Sequence, residues 1–208
     1  MQFRLYLLNV SALEDDDLSQ KALSLMDSYR RGKVNKYKTK KDRLHQIATG
    51  LLLQVGLLEL ELSRGDEDCD VHFCEVGEIV GILKDKAPVE AIYEQHPNGK
   101  PYWQQEFLQN LPFVKKFPYF SISHSGEYAA LVIADEEIGL DIQEERPTRF
   151  KGGCQAFSRM EAYVKCTGEG YAKGYAKYKE LNGEKLNYEF YKINVLSDYV
   201  IYLCYEKL

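Results

Sequence analysis

Paired cysteines are missing from this chain. Its five cysteines, Cys69, Cys74, Cys154, Cys166 and Cys204, form no CxxC step and no metal-ligand spacing with the four histidines. An odd, scattered set, with no signal-peptide pattern after Met1-Gln2-Phe3-Arg4, points to a reducing cytoplasm. A long hydrophobic run is missing too. None approaches the roughly 20 residues needed to cross a bilayer, so a soluble intracellular protein with no membrane partner is expected. Internal repeats and low-complexity segments are not seen. Net positive charge is absent as well: the formal charge of -5 argues against general nucleic-acid binding. What the chain has is apolar residues, 45% over 208 positions, which excludes a disordered protein and suffices for one large domain or two small ones.

Positive charge is concentrated in one place, Arg30 to Arg43, RRGKVNKYKTKKDR. Such a run on an acidic chain fits either a local anionic ligand or a solvated helix face. Before it, Gln2 to Val10 reads as a first strand. Ser11 then opens a helical pattern through Leu13, Leu18, Ala22, Leu23 and Met26, with acidic residues 14–17 in its first turn, where the helix dipole favours them. A longer helix is predicted over Lys41 to Leu62, because Leu44, Ile47, Ala48, Leu51, Leu52, Val55 and Leu58 recur at helical spacing. Arg43 and the lysines before it then sit at a helix start, an unfavourable place for cations unless an anion binds there. Arg64 to Asp70 reads as a loop. His96-Pro97-Asn98-Gly99-Lys100-Pro101 reads as a turn that presents Lys100.

The stretch Pro118 to Gln143, PYFSISHSGEYAALVIADEEIGLDIQ, organises the rest. It predicts two alternating strands joined at His124-Ser125-Gly126 and a third strand over residues 138–142. Alternation sends Leu140 and Ile142 into the core and puts Asp141 and Gln143 on one surface. A carboxylate and an amide beside a donor-rich turn suit a phosphate and a hard cation. A charged link, residues 144–153, follows. Ser158 and Glu161 match a capping box, which places Glu161 in a first helical turn, and Glu161 and Lys165 are spaced for an ordinary helical ion pair. Gly168 and Gly170 end that helix. Residues 188–195 and 199–205 form a hairpin across Leu196-Ser197-Asp198.

Four ordered segments carry a family resemblance: Asn98-Gly99-Lys100-Pro101; Phe120 to Gly126; Gly139-Leu140-Asp141-Ile142; and the pattern Phe157-Ser158, Glu161-Ala162, Lys165, Gly168 and Gly170. Together with Asp42-Arg43 and the helix after it, they resemble the 4'-phosphopantetheinyl transferase superfamily, in its single-chain pseudo-dimer type, as in activators of peptide synthetases. The resemblance covers most of the chain. It implies transfer of the phosphopantetheine arm of coenzyme A to a serine of an apo acyl or peptidyl carrier protein, releasing adenosine 3',5'-bisphosphate.

By position, Ser123 and His124 would hold the 3'-phosphate with Lys100 and with Lys38, Lys41 or Arg43. Asp141 and Glu161, with Gln143 beside them, would bind magnesium, and Lys165 would touch the phosphates; Glu161 is also the candidate base. Three departures stand out: Gln143 where many members carry an acid, Met160 where a lysine usually precedes the helix glutamate, and a short link from Asp141 to Glu161. A coenzyme-A-binding or regulatory protein with weak or lost catalysis is the alternative. A structural domain whose Ser-His turn and helix glutamate are only turn and cap residues is a third reading. The expected fold is α+β, with two similar subdomains, residues 1–137 and 138–208. Each is a small antiparallel sheet with a long helix, meeting at a cleft in a cytoplasmic monomer.

Overall fold

In the computed structural model, which describes residues 1–62, 69–90, 93–95, 99–180 and 187–207, both faces of the first strand are buried. That strand, β1 (Phe3–Asn9), turns Tyr6 and Leu8 to one core and Phe3, Leu5 and Leu7 to another. After a 3-10 turn (Ser11–Glu14) come α1 (Asp16–Ser24), α2 (Ser28–Val34), α3 (Lys40–Leu62), β2 (Asp70–Cys74) and α4 (Val76–Leu83). Then follow β3 (Tyr93–Gln95), β4 (Pro101–Trp103), α5 (Gln105–Asn110), α6 (Pro112–Lys116), β5 (Tyr119–Ser125), β6 (Tyr128–Ala134) and β7 (Ile138–Glu144). The chain closes with α7 (Gly153–Thr167), α8 (Tyr171–Glu180), β8 (Tyr188–Ile193) and β9 (Tyr199–Glu206).

The fold is α+β. One sheet has the order β2-β1-β6-β5, a second β7-β9-β8, and β3 pairs with β4. The second sheet is antiparallel throughout, as expected, but the first is mixed, because β2 pairs parallel to β1. The physical reason is the connection: α1 to α3 form a long crossover, and a crossover returns the chain in the same direction, whereas a hairpin reverses it. α3 covers the outer face of the first sheet, where Leu51, Leu52 and Val55 share a core with Tyr6, Leu131 and Ile133. The opposite face meets the second sheet, so Leu5, Leu7 and Val132 pack with Leu140, Ile142 and Leu203. α7 lies on the far side of the second sheet, with Tyr163 and Cys166 against Cys204. It approaches closely: a Cβ added to Gly139 of β7 would fall 2.0 Å from the Ala162 carbonyl oxygen. No helix among the described residues is long and apolar enough to cross a membrane.

Local chemistry explains the helix ends. The Thr39 hydroxyl accepts from the Asp42 amide (3.1 Å) and donates to the Asp42 carboxylate (2.6 Å), a reciprocal cap that also places an acid in the first turn of α3. The cation at that end is neutralised, since Lys40 reaches Glu14 and Asp16, both at 3.3 Å. The helix expected from Ser158 instead begins at Gly153. Gly152 and Gly153 take positive φ (91° and 74°), which glycine alone adopts freely, and they turn the chain into α7 five residues earlier. Ser158 is buried inside α7 and donates to the Asp141 carbonyl (3.3 Å), so it caps nothing and Glu161 sits in the middle of the helix. Residues 64–68 of the expected loop and 96–98 of the expected turn lie outside the described residues.

The two sheets are joined along β5 and β7 by hydroxyl groups. Ser121, Ser123 and Ser125 accept from the amides of Leu140 (3.0 Å), Ile142 (3.3 Å) and Glu144 (3.0 Å). Backbone donors on a sheet edge need partners when buried, and here every second side chain of β5 supplies one.

Candidate functional site

Between β5, β7, α2 and α7 lies a cavity of about 540 Å³. It draws Arg30 and Lys33 from α2, Lys100 from the segment before β4, Ser123 and His124 from β5, Asp141 and Gln143 from β7, and Glu161 and Lys165 from α7. Ser123 and Asp141 therefore face one space, though 18 residues separate them, because β5 and β7 run side by side.

Asp141 is not on an exposed surface, as strand alternation alone suggests; it is 1% exposed. Its Oδ1 accepts from Lys165 (2.7 Å) and from the Ser123 hydroxyl (3.1 Å), and its Oδ2 from the Gln143 amide (2.9 Å). Lys165 thus pairs with Asp141 and also donates to Ser123 Oγ (2.8 Å), in place of the helical pair with Glu161 that the spacing allows. Glu161 faces the cavity with its pKa raised, first by burial and then by the Asp141 charge, against the lowering pull of Lys165.

His124 projects from β5 into the cavity, and its ring stacks on that of His45 at 4.5 Å and 14°. His45 is buried, and its Nε2 lies 3.1 Å from the Gly126 carbonyl, which orients the ring beneath the hairpin turn. His124 keeps contact with solvent on the cavity side, yet partial desolvation of its ring and the charges of His45 and Lys165 push its pKa down to about 4, so at neutral pH it is an uncharged hydrogen-bonding group. Lys100 is likewise not presented on a turn. It is 9% exposed, pairs with Glu137 and donates to the Cys166 carbonyl (2.7 Å), tying the start of β4 to the end of α7.

Of the basic run, Lys38, Lys41 and Arg43 do not line the cavity. Lys38 and Lys41 are exposed, and Arg43 donates to the carbonyls of Tyr37 (3.3 Å) and Lys38 (3.2 Å), bracing the turn into α3. The cations that do face it, Arg30 and Lys33, are the residues sequence reasoning missed. Asp27 accepts from the Arg30 amide (2.9 Å) and so starts the short helix that aims both inward. Lys33 has its pKa lowered to about 8, first by burial and then by the charges of Arg30 and Lys36. Nothing in RRGK distinguishes these two from the lysines that follow.

No family model matches this chain, and no curated protein does.

The cavity's chemistry is two-sided: cations on the α2 wall, and two carboxylates with an amide on the β7 and α7 wall. Among the described residues no group of three or more His, Cys, Asp or Glu gathers to hold a metal. Two carboxylates are nevertheless enough for magnesium, which keeps several waters and takes phosphate oxygens. The donor set of Asp141, Glu161 and the Gln143 amide oxygen fits such an ion, and burial, more than the charges around it, raises the pKa of Glu161. Lys165 now supplies the cation at Asp141, so a metal there requires Lys165 to release it. Met160 is buried in the core beneath α7, so the departure at that position does not alter the cavity lining.

Proposed function

We propose that this protein is a 4'-phosphopantetheinyl transferase, moving the phosphopantetheine arm of coenzyme A onto a serine of an apo acyl or peptidyl carrier protein. It would act in the cytoplasm as a monomer of two similar halves related by a pseudo-twofold axis, with α3 and α7 as matching helices. The observation that carries this reading is the cavity itself, which sets Arg30 and Lys33 opposite Asp141 and Glu161. A pyrophosphate ester with a further phosphate needs both walls: cations for its anionic end, and carboxylates to hold a metal at the reacting phosphoryl group. Magnesium, when bound by Asp141 and Glu161 with Gln143, would neutralise the attacked phosphoryl group and its leaving group.

Each side chain then has a role. Arg30 and Lys33 bind the anionic end, with His124 as a neutral donor that gains a proton as the phosphate closes on it. Lys165 transfers its ammonium from Asp141 to the phosphates. Glu161 accepts the proton of the attacking serine as general base. The phosphorus–oxygen bond to the 3',5'-bisphosphate breaks as the serine oxygen bonds to phosphorus.

The direct test is release of adenosine 3',5'-bisphosphate from coenzyme A in the presence of apo carrier protein, with magnesium titrated. Turnover that depends on both is expected, and Glu161→Gln should lower kcat at least tenfold while changing coenzyme A affinity little. Binding of coenzyme A with no release would favour the second reading, a coenzyme-A-binding protein. That reading is supported by the way Lys165 already neutralises Asp141 and by the uncharged Gln143.

The pH dependence of binding follows from Lys33. Its pKa in the empty cavity is about 8, and a bound anion raises it. Below pH 8 the charge is already present. Above it each binding event must take up a proton, so affinity falls by up to about tenfold per pH unit until the pKa of the bound state is reached. Calorimetry from pH 7 to 10 should show this fall in the parent protein and a flatter curve in Lys33→Gln. An equally steep curve in both would remove Lys33 from the anion site.

A further inference from the structure

Lys100 lines the cavity, yet the partners of its ammonium group, the Cys166 carbonyl and the Glu137 carboxylate, belong to residues outside the cavity lining. Two features fix the lysine in place. Its stem lies against the end of α7, since a Cβ added to Gly168, where φ is 63°, would fall 3.2 Å from Lys100 Cδ. Its Nζ donates to the Cys166 carbonyl at 2.7 Å, among the last carbonyls of α7, where the helix dipole favours a cation. The same Nζ stands 5.2 Å from the centre of the Tyr102 ring.

Glu137 is held differently. It belongs to the link between β6 and β7, residues 135–137, and its backbone carbonyl accepts from the Cys166 thiol at 3.6 Å. Its side chain is 36% exposed and can turn to solvent, so a movable carboxylate meets a fixed lysine. An ammonium group has three N–H donors, and the one given to Glu137 can pass to another anion while the Cys166 bond stays in place. An ion pair open to water on one side is weakened by solvent. A phosphate group brings more negative charge than a carboxylate, and three acceptor oxygens.

We propose that Glu137 is a displaceable counter-ion: a phosphate group entering the cavity takes Lys100 from it, and the strength of the Lys100–Glu137 pair sets which anions bind and how tightly. This rests on the reading that the cavity takes a phosphate ester. Glu137 then acts as a specificity-determining residue. A phosphate dianion or a pyrophosphate displaces the carboxylate, whereas a carboxylate ligand gains nothing by exchange with its own kind and is refused. The sign of the effect separates this role from a structural one. Neutralising a competitor tightens anion binding, whereas losing a brace that positions Lys100 weakens it.

Inorganic pyrophosphate is the probe, titrated calorimetrically into the full chain without added metal. Glu137→Gln and Glu137→Ala should bind it roughly three- to tenfold more tightly than the parent. Glu136→Gln neutralises the adjacent acid, which pairs with the Met1 amino group (3.3 Å) and not with Lys100, and should bind like the parent. In a Lys100→Met background Glu137→Gln should change nothing, since the pair is already gone. Acetate should compete with pyrophosphate in Glu137→Gln and not in the parent.

An unchanged or weaker affinity in both Glu137 variants, an equal gain in Glu136→Gln or without Lys100, or equal competition by acetate would overturn the proposal. Binding that appears only once Glu137 is neutralised supports it, and binding in none of the proteins overturns it. The transferase reading fails separately. If pyrophosphate behaves as expected but coenzyme A with apo carrier protein releases no adenosine 3',5'-bisphosphate, only that reading is lost; release without tighter binding in the Glu137 variants removes only the role of Glu137.

Discussion

Asp141→Ala is expected to abolish turnover and to destabilise the fold at the same time. An exposed carboxylate could be removed at little structural cost, but this one is 1% exposed and holds Lys165, Ser123 and Gln143 together. Removing one partner of a buried ion pair strands the other charge, a loss of roughly 3–5 kcal/mol for a fully buried pair. Because the Lys165 side chain is 28% exposed and can reach water, the expected loss is smaller, about 2–3 kcal/mol. Denaturant midpoints would measure it.

The double variant Asp141→Ala/Lys165→Met separates the two effects. It removes the stranded charge, so most of the stability should return while turnover stays absent. A single variant that unfolds like the parent would show that the pair does not hold α7 to β7. A single variant that turns over undiminished would sink the transferase mechanism.

Gly139→Val is expected to be the most destabilising single substitution in the second half of the chain. Even a methyl at this position would sit 2.0 Å from the Ala162 carbonyl oxygen and 2.4 Å from the Cys166 amide nitrogen. Both are backbone atoms of α7 and cannot rotate aside. Overpacking of this kind costs typically 1–3 kcal/mol and occasionally more, and two backbone contacts put it at about 3 kcal/mol or above. Since α7 carries Glu161 and Lys165, the shifted helix should also weaken coenzyme A binding. Gly32→Ala, on α2, is the matched control. Nothing lies within 4 Å of its added carbon, so it should gain about 0.5–1 kcal/mol from helix propensity. Thermal and denaturant unfolding of both variants would test the contrast, and a Gly139→Val protein as stable as the parent would contradict the close approach of α7 to β7.

The strands of the central stretch were legible, β5 and β7 from alternating polar and apolar residues and β6 from its short apolar run. Leu140 and Ile142 face a core while Asp141 and Gln143 face the cavity, and the hairpin turns at Gly126, where φ is 59°. α3 was legible for the same reason, since a long apolar period leaves little ambiguity. Ser158 misled because serine three residues before glutamate is compatible both with a cap and with the interior of a helix, and only the path of the chain at Gly152 decides between them. α8 was not foreseen because it buries Gly174 and packs half-buried tyrosines, not an aliphatic stripe. Whether a lysine faces a cavity depends on which short helix carries it, so the run from Arg30 to Arg43 could not be divided into Arg30 and Lys33 on one side and Arg43 on the other. Burial of Asp141 was hidden for a related reason: alternation gives the face a residue takes, not what covers that face.

The serine hydroxyls along β5 have a consequence for amide hydrogen exchange. In a sheet ladder a backbone hydrogen is shielded by a carbonyl fixed to the neighbouring strand, and exchange waits for the strands to part. The hydrogens on Leu140, Ile142 and Glu144 are shielded by side-chain oxygens that can rotate about a single bond. Their exchange rates therefore record the separation of the two sheets along β5 and β7 and the swing of three hydroxyls, not the unfolding of either sheet. Ile142 is the most telling of the three, because its partner Ser123 is also tied to Asp141 and Lys165. Deuterium uptake at that one amide would change as the cavity fills, giving a clock for occupancy that needs neither a label nor a turnover.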